Sequence, residues 1–149
     1  MAPQPWLALT RTVRFGDTDA AGVMHFHQLL RWCHEAYEDS LERFGVAAAE
    51  VFPTPGSLPE VALPIVHCSA DYFRPLVCGD AITIRLEPVR LDLGSFEVRY
   101  GFTSSDQTVA QGLTRHLAIE TSSRRRCELP RAINRWLEAS GLTGTVQPL

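Results

Sequence analysis

Apolar residues recur along this chain with two different periods. In residues 7–14, Leu7, Leu9 and Val13 fall on one side of a strand-like segment. A turn-rich stretch follows in residues 15–22, with Gly16, Asp17, Thr18, Asp19 and Gly22. From residue 25 to 44 the period changes. Leu29, Cys33, Ala36, Ser40 and Phe44 recur at helical spacing, flanked by Leu30, Trp32, Tyr37 and Leu41, which predicts a long helix with a broad apolar face. Gly45 is a stop signal for it. Residues 46–60 carry Pro53, Pro55, Gly56 and Pro59 and read as an irregular connection.

Period two then returns. Residues 61–73 read as a strand in which Pro64 marks an edge or bulge position. Ile82, Ile84 and Leu86 alternate with polar neighbours, and so do Phe96, Val98, Tyr100 and Phe102. Asp92-Leu93-Gly94 joins these two runs as a hairpin. Residues 104–107 make another turn, residues 108–120 a last strand, and residues 130–139 a short helix with Ile133, Trp136 and Leu137 on one face. A sheet with one polar face must bury the other, and the long helix is the large candidate to cover it. The expected class is α+β, a curved antiparallel sheet wrapped around one long helix. One helix leaves sheet edges uncovered, so two chains are expected to join edge to edge. Residues 1–140 read as a single domain and residues 141–149 as a C-terminal tail.

Composition narrows the function. The chain has 149 residues, 45% hydrophobic and 21% charged, ordinary values for one globular domain. A net charge of −3 argues against nucleic-acid or anionic-membrane binding, so an anionic ligand needs a local basic patch. No apolar run reaches the roughly 18 residues of a membrane-spanning helix. The first ten residues lack a basic segment before an apolar stretch, so no signal peptide is expected. Cys33, Cys68, Cys78 and Cys127 form no C-x-x-C pair and read as reduced thiols of a cytosolic protein.

The chemistry concentrates in residues 15–26, FGDTDAAGVMHF. Residues 23–27 hold no Ser, Thr, Asp or Asn, so the long helix starts without a usual cap. Its first N–H groups then carry partial positive charge and suit an anion or a polarised carbonyl. Gly22 supplies the freedom that close approach needs. Asp19 lies just before those amides, where its charged form is stabilised and can serve as nucleophile or as base for a water. His25 could bond a leaving group, a substrate hydroxyl or Asp19. Plainer readings stand beside these: Asp17 and Asp19 as turn formers, with Asp17 holding the loop, or His25, His27 and His34 with the two aspartates as a metal site, against which the H-x-H spacing argues on a helix.

These residues resemble a known family. FGDTDAAGVMHF and the following QLLRWCHEA are similar to the signature of the 4-hydroxybenzoyl-CoA thioesterase family, and Asp71-Tyr72-Phe73-Arg74-Pro75 with Gly79-Asp80 is similar to its second-strand end and turn. The likeness spans residues 8–120. It implies a hotdog fold and hydrolysis of an acyl-CoA thioester without metal or organic cofactor, coenzyme A being part of the substrate. It implies that Asp19 is the catalytic carboxylate and that the backbone N–H of Phe26 polarises the carbonyl, with sites at the interface of dimers that in the family often pair into homotetramers; Gly22 and His25 are expected to meet the substrate, and the homodimer is expected in the cytoplasm. Within the family, the DTDAAGVMHFH run and the Pro-rich insert most resemble the branch acting on 1,4-dihydroxy-2-naphthoyl-CoA in phylloquinone biosynthesis. Phe26 stands where relatives acting on short acyl chains have a His, which suits a flat aromatic acyl group.

Coenzyme A carries phosphates, and Arg124, Arg125 and Arg126 form the obvious basic cluster to meet them. The family's basic hairpin is not reproduced; the chain reads Leu91-Asp92-Leu93-Gly94 there. The competing readings are a thioesterase for another acyl-CoA (4-hydroxybenzoyl or short-chain) and a non-catalytic acyl-CoA-binding module. A hotdog dehydratase is a third, but its His-Phe-Pro-Gly loop is missing from this chain.

Overall fold

The computed structural model describes residues 3–142. In chain order the elements are β1 (Ala8–Thr12), α1 (Phe26–Phe44), α2 (Ala48–Val51), β2 (Val61–Ala62), β3 (Ile65–Tyr72), β4 (Ala81–Asp92), β5 (Ser95–Ser104), β6 (Gln107–Leu117), β7 (Ile119–Glu120) and α3 (Arg131–Ser140). Five strands form one antiparallel sheet in the order β1-β4-β5-β6-β3, and β2 pairs with β7 in a separate ladder.

The long helix forms where its apolar period ends on good punctuation. Leu29, Trp32, Cys33, Ala36, Tyr37, Leu41 and Phe44 are buried, each large side chain worth about 1.5–3 kcal/mol against exposure. Gly45 closes the helix in the left-handed conformation at φ 111°, and its N–H reaches the carbonyls of Leu41 and Glu42. The alternation in β5 is as expected: Phe96, Val98, Tyr100 and Phe102 are buried against α1. The helix lies close to the sheet because β6 offers Gly112 beneath it. A Cβ there would stand 2.5 Å from Cys33 Sγ.

Two expected strands are each divided in two. Residues 61–73 break at Leu63-Pro64, because proline donates no ladder hydrogen bond, although the Pro64 carbonyl still accepts from Leu117 N–H. Residues 108–120 break at Ala118, whose N–H turns to the Gly94 carbonyl of the β4–β5 hairpin. The irregular stretch after α1 contains the single helical turn α2. The sheet is also covered by α3 as well as α1: Trp136 is fully buried, 5.9 Å ring to ring from both Tyr37 and Phe96, and donates to Ser40 Oγ. The outer face is not wholly solvated, since Glu97 is buried there between Arg99 and Arg115. Of the expected tail, residues 143–149 lie outside the described residues. Among the described residues no helix is long and apolar enough to cross a membrane.

The sheet ends in two unlike edges. β1 is short, whereas β3 runs for eight residues with Ile65 and Val66 42% and 51% exposed. A long edge with exposed apolar side chains is a template for pairing.

Candidate active site

The loop before α1 is held from below. Val13 bonds across to the β3–β4 connection, its N–H donating to the Asp80 carbonyl and its carbonyl accepting from Gly79 N–H, and Met24 N–H donates to the Leu76 carbonyl at 2.7 Å. Asp17 holds the loop from within: its Oδ2 accepts from Arg14 N–H, and its carbonyl accepts from His25 N–H, both at 2.8 Å. Its expected structural part is therefore what the geometry displays.

Asp19 sits at the tip of the loop and is exposed. Its backbone N–H donates to the Val23 carbonyl, and its own carbonyl accepts from Gly22 N–H. Gly22 closes this turn at φ 82°, a conformation that costs other residues strain. The Asp19 side chain takes part in the turn through one oxygen only, Oδ1 accepting from Ala21 N–H at 2.8 Å. Turn former and reactive carboxylate are thus compatible readings, because among the described residues Oδ2 has no hydrogen-bond partner.

The helix start corrects one expectation. It is capped after all, by His25, which keeps an extended backbone (φ −61°, ψ 139°) while its Nδ1 accepts from His27 N–H at 3.3 Å. Histidine is not among the usual caps, but a neutral imidazole has one acceptor nitrogen. Gln28 N–H turns to the His25 carbonyl. The cap therefore occupies the second and third amides and leaves the first. Among the described residues nothing accepts from Phe26 N–H.

Asp19 and Phe26 line one cavity of about 350 Å³, together with Val23, Met24, Tyr72, Phe73, Arg74, Pro75 and Leu76. Gly22 and His25, expected to meet the substrate, are not among its lining residues; Gly22 closes the loop turn and His25 caps the helix beside it. Three lining residues carry chemistry that the chain alone did not single out. Tyr72 at the end of β3 donates its hydroxyl to the Phe26 carbonyl. Partial burial of the phenol, with a smaller contribution from Cys33, raises its pKa above the ordinary value and keeps it a donor. Phe73 adds a second exposed ring. Arg74 is an exposed cation at the rim, with no carboxylate within ion-pair distance among the described residues. The signal for all three was the quoted DYFRP stretch, but only the sheet register carries the end of β3 to the start of α1.

Arg124, Arg125 and Arg126 lie elsewhere. They follow β7, where Arg126 faces Asp92 of the β4–β5 hairpin at 4.0 Å. The cavity is beside the opposite end of β4, roughly 35 Å away along a strand of twelve residues. The structure does not bring these arginines to the same protomer's cavity.

The sequence model of the family described as the thioesterase-like superfamily matches residues 13–137. The chain is 59% identical over 150 residues to the 1,4-dihydroxy-2-naphthoyl-CoA hydrolase of Synechococcus sp. (strain CC9605), covering all of both chains. A crystal structure from Prochlorococcus marinus (strain MIT 9313) is similar with a TM-score of 0.90 at 56% identity, over 95% of this chain and 100% of that one. The crystal structure of the 1,4-dihydroxy-2-naphthoyl-CoA thioesterase of Synechocystis is similar with a TM-score of 0.80 at 32% identity, over 88% of this chain and 94% of that one.

Proposed function

We propose, from the premise that this chain belongs to the thioesterase-like superfamily and has its hotdog fold, that it hydrolyses 1,4-dihydroxy-2-naphthoyl-CoA to the free acid and coenzyme A in the cytoplasm. The observation that carries the reading is the pairing of Asp19 with the unoccupied Phe26 N–H in one cavity.

The thioester carbonyl oxygen accepts from Phe26 N–H at the positive end of α1, where negative charge developing on that oxygen is stabilised. Asp19 Oδ2, free of the turn, then attacks the carbonyl carbon or takes a proton from the attacking water. The C–S bond breaks and the sulfur leaves as the coenzyme A thiolate, which takes up a proton. Where Asp19 attacks, the acyl-aspartyl anhydride it forms is then cleaved by water, which frees the acid and restores the carboxylate; where Asp19 acts as base, water adds directly to the carbonyl carbon and its oxygen enters the acid. The rings of Phe26, Tyr72 and Phe73 give a flat acyl group apolar faces to lie against. Arg74 is placed to meet a phosphate of the coenzyme A arm.

The protein works as a homodimer joined through β3. Antiparallel pairing of two such edges about a twofold axis sets the partner's hairpin end beside this protomer's cavity end. That arrangement lets Arg124–Arg126 serve the neighbouring subunit's substrate, the cluster being remote from its own. Sedimentation equilibrium should give twice the chain mass or a multiple of that; an active monomer overturns this part.

Thiol release across a panel of aromatic and aliphatic acyl-CoAs tests the activity, with the naphthoyl thioester expected to have the highest kcat/KM. A higher value for 4-hydroxybenzoyl-CoA or a short-chain thioester moves the assignment to that substrate. Binding of intact thioester without thiol release makes the protein an acyl-CoA-binding module. Asp19→Asn should lower kcat at least about a thousandfold with the fold intact, and near-normal turnover in that variant removes Asp19 from the mechanism.

A further inference from the structure

We infer that His25 and Tyr72 are positioning residues that clamp the peptide unit between Phe26 and His27, and that this clamp aims the Phe26 N–H into the cavity. The inference rests on the reading of that N–H as the oxyanion donor and adds what holds it in place.

The peptide unit is gripped at both ends by side chains from different parts of the fold. Its carbonyl, that of Phe26, accepts from the Tyr72 hydroxyl at the end of β3. Its N–H, that of His27, donates to His25 Nδ1 from the residue just before the helix. The histidine is itself held: its backbone N–H donates to the Asp17 carbonyl, and its ring lies 4.7 Å from the Phe26 ring and 4.0 Å from that of His27. With this peptide plane fixed, and the His25 carbonyl of the preceding peptide held by Gln28 N–H at 3.0 Å, the peptide that carries the Phe26 N–H is restrained from both sides. An oxyanion donor works by being oriented before the reaction begins, so freedom at this plane would be felt in the chemical step.

The arrangement also ties the site to the β3 edge. Tyr72 is the last residue of the strand proposed to pair between subunits. Strand pairing, through the backbone, and amide alignment, through the side chain, therefore share one residue.

The test compares Tyr72→Phe, His25→Ala and His25→Asn with the unaltered protein, using 1,4-dihydroxy-2-naphthoyl-CoA as substrate. Tyr72→Phe keeps the ring and loses the donor; its kcat should fall about tenfold with KM within about twofold. His25→Ala should fall similarly. His25→Asn, whose side-chain oxygen is a good cap, should recover most of the loss. Hydrogen exchange at the His27 amide, followed by NMR without substrate, should quicken in His25→Ala and slow again in His25→Asn. A merely structural part predicts lower melting temperatures at unchanged kcat in the folded fraction. Wild-type kcat in both Tyr72→Phe and His25→Ala overturns the clamp, and so does an unchanged His27 exchange rate in His25→Ala. If the unaltered protein releases no thiol from any thioester, it is the proposed activity that fails, while the exchange measurement still decides whether the clamp exists.

Discussion

The two ends of α1 are finished to different standards. At the C-terminal end, Gly45 and Val46 both send N–H groups back to the Leu41 carbonyl, Phe44 is buried 5.0 Å from the Trp6 ring, and Ser40 accepts from the buried Trp136. At the N-terminal end Phe26 is 70% exposed, its amide has no acceptor among the described residues, and an imidazole does the work of a cap. A helix of nineteen residues pinned so firmly at one end tolerates an incomplete start at the other. The open amide therefore reflects where the cavity is, and not a weak helix.

The sharpest way to break this contrast is to remove the open amide alone. Phe26 is the first residue of α1, the one helical position where proline is well accommodated, and His25 before it already has the extended backbone that proline demands. Phe26→Pro should lower kcat about a hundred- to a thousandfold, with little loss of melting temperature. Phe26→Ala separates the ring from the amide, and its loss should fall mainly on KM. Retention of more than a tenth of wild-type kcat in Phe26→Pro would show that the carbonyl is polarised by some other group.

A second test loads the closed side of the molecule. His116 is fully buried, stacked 4.6 Å from Phe96, and its Nε2 shares a hydrogen bond with Thr114, which in turn meets Tyr100. Burial disfavours the imidazolium and lowers the His116 pKa from 6.5 to about 4. The unfolded chain therefore binds the proton first as pH falls. This stabilisation is present above about pH 6.5 and is lost progressively towards pH 4, amounting to about 3 kcal/mol in all. Urea unfolding at pH 7, 5.5 and 4 should follow that fall, and His116→Gln should show a shallower dependence over the same window. Equal slopes for both proteins would mean that other groups set the acid sensitivity.

Much of the closed side could be read from the chain, and less of the open side. Phe96 to Phe102 declare a half-buried strand because every second residue meets the core, and α1 declares itself because its apolar period persists from Leu29 to Phe44. Such patterns are local. The irregularity at Pro64 was local too, marked by the proline itself, but the break at Ala118 and the separate ladder were not, since β2 finds β7 at nearly sixty residues' separation. The open side depends on similar meetings. Asp19 and Phe26 were visible as neighbours in sequence, whereas the Tyr72 hydroxyl reaches Phe26 across 46 positions. The His25 cap was hidden for another reason: its residue type signals titration and metal binding more readily than capping. Arg124–Arg126 were conspicuous as a run, yet a run says nothing about which end of the sheet it occupies.

The smallest expected effect probes the contact that seats α1 on the sheet. Gly112 is buried in β6 opposite Cys33, and a methyl group added there would meet Sγ at 2.5 Å and Leu29 Cδ2 at 3.5 Å. Sulfur in a packed core has little room to retreat, so Gly112→Ala should cost about 1–3 kcal/mol of unfolding free energy. Cys33→Ala alone should cost less, because it leaves only a small void. Combined, the two changes exchange volume between facing positions, and the pair should be more stable than the sum of the single losses allows. A thermodynamic cycle by urea unfolding reads that coupling directly. Additive losses would mean that the helix shifts to accept the methyl. Thiol release by each variant, measured well below its unfolding transition, should match the unaltered protein, since the contact lies beneath the middle of α1 and not at its open end.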